Sequence, residues 1–404
     1  MAAGATRGIY ITGAKRTPFG SFGGSLKAFT ATDLATLSSV GAIKQSKVDP
    51  AAVDSIFFGN VIQSSPDAAY LARHVGLRAG IPQEKAALTI NRLCGSGFEA
   101  ACLGAEAIEL DQARLTLCGG SENMSAAPFT IDGNKMRWGV GLGQPPPTAI
   151  DSLWSGLTDS LAGTPMGVTA ENLAEKYDIS REDCDEYAVR SQHAYAAAAE
   201  NGVFAAEIEP VEVKVKRETV MMDTDEHPRG KKATLEGMAK LPTAFKKGGA
   251  VTAASASGIC DEAASLIVAS EEACKSHGLD PLARVVAWAR VGCDPSIMGI
   301  GPVEAIRGCL RKTGLSLSSI DIVEINEAFA AQYLSCEKEL GLDRSITNAN
   351  GGAIAVGHPL GASGARILAH LTHELVRQKK RYAIGSACIG GGQGIAVLLE
   401  NATI

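Results

Sequence analysis

Short apolar runs alternate with longer stretches of helical periodicity along most of this chain. Gly8-Ile9-Tyr10-Ile11-Thr12 predicts a first strand. Val53–Phe58 and Ile320–Ile325 predict strands with an acidic start, Asp54 and Asp321. Ala86–Ile90 predicts another. Gly95-Ser96-Gly97 opens a helix running to about Glu109, and Gly361-Ala362-Ser363-Gly364 opens one running to about Gln378. Apolar strands begin at Leu115 and Tyr382, and each is expected to run into a Gly-Gly turn, Gly119-Gly120 and Gly390-Gly391. Small residues on one face of the first helix, Ala100, Ala101, Gly104 and Ala105, fit close packing in an interior.

These elements form one unit present twice. Asp54 and Asp321, Gly97 and Gly364, and Leu115 and Tyr382 are each 267 residues apart. Strands alternating with helices imply a parallel sheet covered on both faces. Two copies imply an α/β protein of two similar halves packed together. Residues 124–251 break the repeat, with Gly-Gln-Pro-Pro-Pro at 143–147, amphipathic helices at Val168–Tyr177 and Arg181–Asn201, and a strand-like stretch at Ile208–Val215. Insertions of this size usually carry function. The expected division is 1–123 with 252–278 as the first half, 124–251 as the insertion and 279–404 as the second half.

Composition narrows the functional classes. A length of 404 residues, 46% hydrophobic and 20% charged, allows two or three ordinary globular domains. A net charge of −6 and a pI near 5.7 argue against a nucleic-acid partner. No apolar run approaches the roughly 20 residues of a membrane span. The ten cysteines are scattered, without Cys-x-x-Cys, His-Glu-x-x-His or zinc-finger spacing, so no metal site is expected. Dispersed cysteines point to a reducing, intracellular compartment. The seven residues before Gly8 hold no secretory apolar region, and Asn401–Ile404 is not the peroxisomal Ser-Lys-Leu type.

Two glycine-rich turns carry titratable groups. Gly351–Pro359 holds His358, and Ser386–Gly394 holds Cys388. Glycine lets backbone and ligand approach closely, so an imidazole and a thiol there point to acid–base chemistry at a crowded site. Cys94 precedes a helix that opens on glycine and serine. Unpaired N–H groups at that end are expected to favour its thiolate, the better nucleophile. A buried capping-region thiol is the alternative. Asn326 follows the strand ending at Ile325, where parallel-sheet ligands bind, and a helix cap is its alternative. By the repeat, Cys94 and the His358 turn occupy equivalent ends of the two halves.

With these residues in place, the chain resembles the thiolases over essentially its whole length. The resemblance is carried, in family order, by Asn91-Arg92-Leu93-Cys94-Gly95-Ser96-Gly97, Asn326-Glu327-Ala328-Phe329-Ala330, the glycine-rich stretch 350–361 around His358, and Cys388-Ile389-Gly390-Gly391-Gly392. It implies the thiolase fold, with two pseudo-symmetric α/β halves in a five-layered α-β-α-β-α arrangement and an inserted loop domain. It also implies a Cys-His-Cys site with a water held by Asn326. Chemistry and likeness together assign the roles. His358 takes the proton of Cys94, whose thiolate attacks the C3 ketone of a 3-ketoacyl thioester. His358 and the Asn326 water stabilise the departing enolate, while the N–H groups of Cys94 and Gly390 form a second oxyanion hole. Cys388 protonates the leaving carbon and then deprotonates the incoming coenzyme A.

The resemblance extends to partners and subtype. It implies coenzyme A as co-substrate with no bound cofactor, Arg229 and Ser257 as its contacts, and Met166 and Met298 in the acyl pocket, where plain core methionine is the alternative. Ala254-Ser255, Cys260 and Glu262 depart from the residues usual in the family, Gly-Asn, Asn and Gly. Ala72–Arg78, Gly292–Gly299 and Gln393 resemble the mitochondrial-type 3-ketoacyl-CoA thiolases of fatty-acid β-oxidation. Pro165 stands where biosynthetic acetoacetyl-CoA enzymes commonly have histidine. An acetoacetyl-CoA acetyltransferase is the alternative, followed by an acyl-CoA hydrolase and by an inactive lipid-binding relative. A homodimer or homotetramer is implied, with residues 131–150 as a tetramer contact. The implied compartment is the mitochondrial matrix, reached by an uncleaved import signal, with the cytoplasm as alternative.

Overall fold

The computed structural model describes residues 4–404. In the first half β1 (Ile9–Arg16) is followed by α1 (Ala31–Ser46), β2 (Ser55–Gly59), α2 (Leu71–Arg78), β3 (Ala86–Ile90), α3 (Ser96–Glu109) and β4 (Leu115–Asn123). The insertion contributes α4 (Met166–Lys176) and α5 (Arg181–Glu200), after which β5 (Cys260–Ser270) returns to the sheet. The second half runs β6 (Ala283–Gly292), α6 (Gly301–Thr313), β7 (Ile322–Ile325), α7 (Ala330–Leu340), α8 (Ser363–Gln378), β8 (Tyr382–Ile389) and β9 (Gln393–Asn401). Local signals set several ends. Thr30 and Asp33 form a reciprocal capping box on α1, and Ser180 and Asp183 form one on α5.

The strands lie in the order β7-β8-β9-β6-β1-β5-β4-β2-β3, and the halves join where β1 pairs with β6. Helices α3 and α8 pack on each other, and each touches strands of both halves. Helix α1 covers the outer face of one half and α6 that of the other. The result is five layers, with α3 and α8 as the central one. Strands β4 and β5 carry no exposed residue because both their faces are covered.

The repeat holds in the register of the sheet. β2 pairs with β4 in parallel from Ser55–Thr116, and β7 pairs with β8 in parallel from Ile322–Ala383, the same register after a shift of 267 residues. A Cβ added at Gly97 would strike the amide of Ala365, and one at Gly364 would strike the amide of Phe98. These two contacts are reciprocal under the same shift, so a local two-fold axis passes between the two helix starts.

Two expectations are corrected. The sheet is mixed, not parallel: β4–β5, β1–β5, β6–β9 and β8–β9 pair antiparallel. Residues 390–392 join β8 to β9, and a link that short permits only an antiparallel neighbour. In the first half the corresponding strands, β4 and β5, are separated by the whole insertion. Gly119 and Gly120 form no turn either. They lie inside β4, where a Cβ at Gly119 would press on Ala264 and Phe58, and one at Gly120 on the Gly361 carbonyl. Their missing side chains admit a neighbouring backbone, whereas Gly391 and Gly392 serve a true turn at φ +79° and +82°.

Candidate active site

Cys94 is delivered by a tight turn between β3 and α3. The Leu93 N–H donates to Asn91 Oδ1 at 2.9 Å, and the Arg92 N–H to Ser96 Oγ at 2.8 Å. Ser96 Oγ donates in turn to the Leu93 carbonyl at 2.7 Å. Leu93 is held at φ +47°, a strained value for a leucine. Gly95 has no side chain because Ile389 of β8 occupies that space. The turn therefore rests on the second half, and the Gly390 N–H donates to Cys94.

The electrostatics of Cys94 differ from expectation. Burial pushes its thiol up to about 11. The N–H groups of Gly390 and Cys94 itself oppose this, and the Glu122 charge adds to it. Desolvation outweighs the helix N-terminus, so the resting group is a thiol and its activation needs a base.

His358, a buried imidazole, lines the same cavity as Cys94. Its Nδ1 lies 2.6 Å from Ser363 Oγ, and Ser363 Oγ donates to the Pro359 carbonyl at 3.2 Å. A hydroxyl whose proton is so committed accepts from Nδ1–H, which leaves the Nε2 lone pair free. Burial, reinforced by the Arg366 charge, lowers His358 to about 3 and keeps it neutral. Asn326 Nδ2 lies beside the ring, 3.4 Å from His358 Nε2 and 3.5 Å from Nδ1, and Asn326 Oδ1 is buried without a protein partner. Asn326 does not cap a helix, since α7 begins only at Ala330.

Two carboxylates that the sequence did not single out hold these loops. Glu122 accepts from the N–H groups of Val61, Ile62 and Gly361 at 3.1, 2.9 and 2.8 Å, tying the His358 loop to the first half. Burial raises it to about 7 against those bonds. Glu327 accepts from Tyr187 and Ser191 of α5, both at 2.7 Å, and from the Ile354 N–H at 3.1 Å. The insertion thereby braces the loops of both Asn326 and His358.

Cys94, His358, Met166, Met298 and Ser257 line one cavity of about 380 Å³, walled also by Phe245, Phe329 and Trp154. Cys388 is fully buried and packs with Met166, Met298, Ala328 and Phe329, which line that cavity. Burial, with Cys94 close by, raises the Cys388 thiol well above its ordinary value. A Cβ at Gly390 would come within 3.2 Å of both Leu93 and Met166. Arg229 lies outside this cavity, in a neighbouring pocket with Gln192, His227 and Lys232 that shares Ala253, Ala256 and Gly258 with it. The departures settle into definite places. Ser255 Oγ accepts the Thr252 N–H at 2.9 Å, Cys260 packs against Gly357 beside His358, and Glu262 is fully buried with neither oxygen hydrogen-bonded. Among the described residues, no three His, Cys, Asp or Glu side chains converge as a metal site, and no helix is long and apolar enough to cross a membrane.

Comparison with known proteins places this geometry in context. The family described as "Thiolase, N-terminal domain" matches residues 9–272, and "Thiolase, C-terminal domain" matches residues 279–401. The chain is 56% identical over 395 residues to the mitochondrial 3-ketoacyl-CoA thiolase of Homo sapiens, covering 98% of each chain. It is 45% identical over 398 residues to the acetyl-CoA acetyltransferase of Syntrophomonas wolfei, covering 98% of this chain and 99% of that one. The solved structure of human mitochondrial 3-ketoacyl-CoA thiolase in complex with CoA superposes with a TM-score of 0.96 at 56% identity, over 99% of each chain.

Proposed function

The chain belongs to the thiolase family, and on that premise we propose that it is a 3-ketoacyl-CoA thiolase, an acyltransferase of fatty-acid β-oxidation. It cleaves 3-ketoacyl-CoA with coenzyme A into acetyl-CoA and a shortened acyl-CoA. One observation carries this reading: a buried thiol that accepts from the Gly390 N–H and a neutral imidazole, supplied by two different halves, line one apolar cavity.

The chemistry follows from these groups. His358 Nε2 takes the Cys94 proton, and the thiolate adds to the C3 carbonyl. The N–H groups of Cys94 and Gly390 receive the resulting oxyanion. The C2–C3 bond then breaks, leaving an acyl group on Cys94 and the enolate of acetyl-CoA. His358 and a water on Asn326 stabilise that enolate, and Cys388 gives C2 its proton. Cys388 next takes the thiol proton of coenzyme A, whose sulfur displaces the acyl group from Cys94. The apolar walls, with Met166 and Met298, suit an acyl chain. Ser257 lines the cavity and Arg229 the adjoining pocket, an arrangement that suits the arm and phosphates of coenzyme A.

The exposed apolar surface supports a homo-oligomer. Phe129 and Trp138 of the insertion are 68% and 82% exposed, and β3 is an edge strand. We assign the dimer contact to that edge and the tetramer contact to residues 131–150, and the mitochondrial matrix as compartment. A thiolysis assay over 3-ketoacyl-CoA substrates of increasing length tests the reading. Turnover of chains longer than acetoacetyl-CoA is the expected result. Turnover of acetoacetyl-CoA alone favours the acetyltransferase, and acid release without coenzyme A favours a hydrolase. Mass spectrometry should find an acyl adduct on Cys388→Ala, which fails to turn over, and none on Cys94→Ala.

A further inference from the structure

A side-chain hydrogen bond joins the two halves beside the reacting groups. Arg92 Nη1 donates to Gln393 Oε1 at 3.0 Å. Arg92 lies two residues before Cys94, on the turn strained at Leu93. Gln393 follows the three-glycine turn and sits opposite Ile389 in the β8–β9 register. The bond thus joins the nucleophile's turn to the turn that carries the Gly390 N–H. Neither side chain lines the catalytic cavity.

The guanidinium is also paired from behind, by charge and not by an aligned hydrogen bond. Arg92 Nε lies 3.0 Å from Glu99 Oε2 on α3, and Arg290 of β6 shares that carboxylate at 2.7 Å. Arg290 also bonds Glu106 at 2.6 Å. Glu99 is buried, so Arg92 is held by a fixed charge and not by a wandering surface partner. The packing contact between the turns, Gly95 against Ile389, is apolar and lacks direction, and the Gly390 N–H to Cys94 is the very contact whose geometry is to be held. A hydrogen bond to a charged donor adds the geometric restraint that packing alone lacks.

We infer that Arg92 and Gln393 act as a positioning pair, fixing the separation of Cys94 from the Gly390 N–H and with it the geometry of the oxyanion hole. The inference rests on the thiolase reading above. A misplaced donor weakens interactions made chiefly in the transition state, so kcat should fall while KM stays near its original value.

The full-length protein carrying Gln393→Met or Gln393→Glu tests this. Methionine keeps the size and removes the acceptor; glutamate keeps the acceptor. Gln393→Met should lower kcat about tenfold or more, the worth of one well-placed hydrogen bond, with KM within about twofold. Gln393→Glu should recover most of the loss. Alkylation of Cys94 by iodoacetamide gives a readout that needs no acyl-CoA. It should slow in Gln393→Met and recover in Gln393→Glu, because the N–H that stabilises the thiolate has moved and returned. Wild-type kcat and alkylation in Gln393→Met would overturn the inference, as would equal loss in both variants with a matching fall in Tm. A wild-type protein without thiolysis refutes the thiolase reading alone, and the alkylation series still decides the positioning pair.

Discussion

His358 and Ser363 are bonded across the start of α8, with Nδ1 2.6 Å from Oγ, and that bond decides which imidazole nitrogen is free. Ser363 gives its own proton to the Pro359 carbonyl, so it receives the one on Nδ1. The basic lone pair is left on Nε2, while Asn326 Nδ2 lies about equally far from both ring nitrogens, at 3.5 and 3.4 Å. A residue outside the proposed reacting set thus defines the proposed base.

Ser363→Ala should therefore cost activity without costing the fold. The neutral ring could then protonate either nitrogen, and kcat should drop about tenfold, the scale of one hydrogen bond. KM for the acyl-CoA should change little. Steady-state kinetics check this, and an unchanged kcat would show that Ser363 does not set the tautomer.

Burial holds the Cys94 thiol near 11, well above its ordinary value. Its thiolate fraction should keep rising tenfold per pH unit through pH 9. Alkylation by iodoacetamide, followed by mass spectrometry on that peptide, should climb accordingly up to pH 10. A plateau below pH 8 would mean that the helix N-terminus, and not burial, governs the thiol.

Gly120 should tolerate no side chain. A methyl group there collides with the Gly361 carbonyl, on the loop that carries His358. Gly120→Ala should lose more than about 3 kcal/mol, the cost of overpacking against rigid backbone. Gly391→Ala is the control: it has open space and a left-handed φ, and should cost about 1 kcal/mol. Denaturant unfolding of both compares them, and equal losses would refute the clash.

Glu262 has a pH signature of its own. Burial raises it to about 8, with the charges of Arg16 and Arg366 opposing only in part. In the unfolded chain a glutamate titrates near 4.3, so its stabilising contribution is full below that value and disappears as pH rises through 8. Glu262→Gln removes the ionisation. The Tm difference between variant and wild type should grow more positive from pH 5 to pH 9, on the order of 1–3 kcal/mol in stability. A difference independent of pH would mean that this carboxyl stays ionised in the fold.

Much of the architecture was legible because the same unit is written twice. Matching acidic starts, helix-opening glycines and strand starts give two α/β halves, and the strand register obeys the same shift. The orientation of the strands was not legible. It depends on how short the 390–392 link is and on where the chain re-enters the first sheet, at Cys260. Gly119-Gly120 misled because two glycines look alike whether they free a dihedral or make room for a neighbour. The helix start that favours a thiolate at Cys94 is visible in sequence, and the depth of burial that overrides it is not. Ser363 sat in view as part of a helix-opening motif, five residues past His358. Glu122 carries no signal in the sequence, and Glu327 stands inside a recognised motif without its role being readable, since what both do depends on amides and hydroxyls far away along the chain.

The reciprocal contact of Gly97 and Gly364 makes the chain a two-fold dimer whose subunits happen to be covalently joined. Under the 267-residue shift Cys94 corresponds to Gly361, His358 to Asn91, Asn326 to Gly59 and Cys388 to Ser121. A symmetric pair built from either half would hold two incomplete centres, one kind with nucleophiles and no base, the other with bases and no nucleophile. Joining the copies permits a division of labour: each half carries groups that the other lacks, and the molecule has one proposed centre where perfect symmetry would demand two.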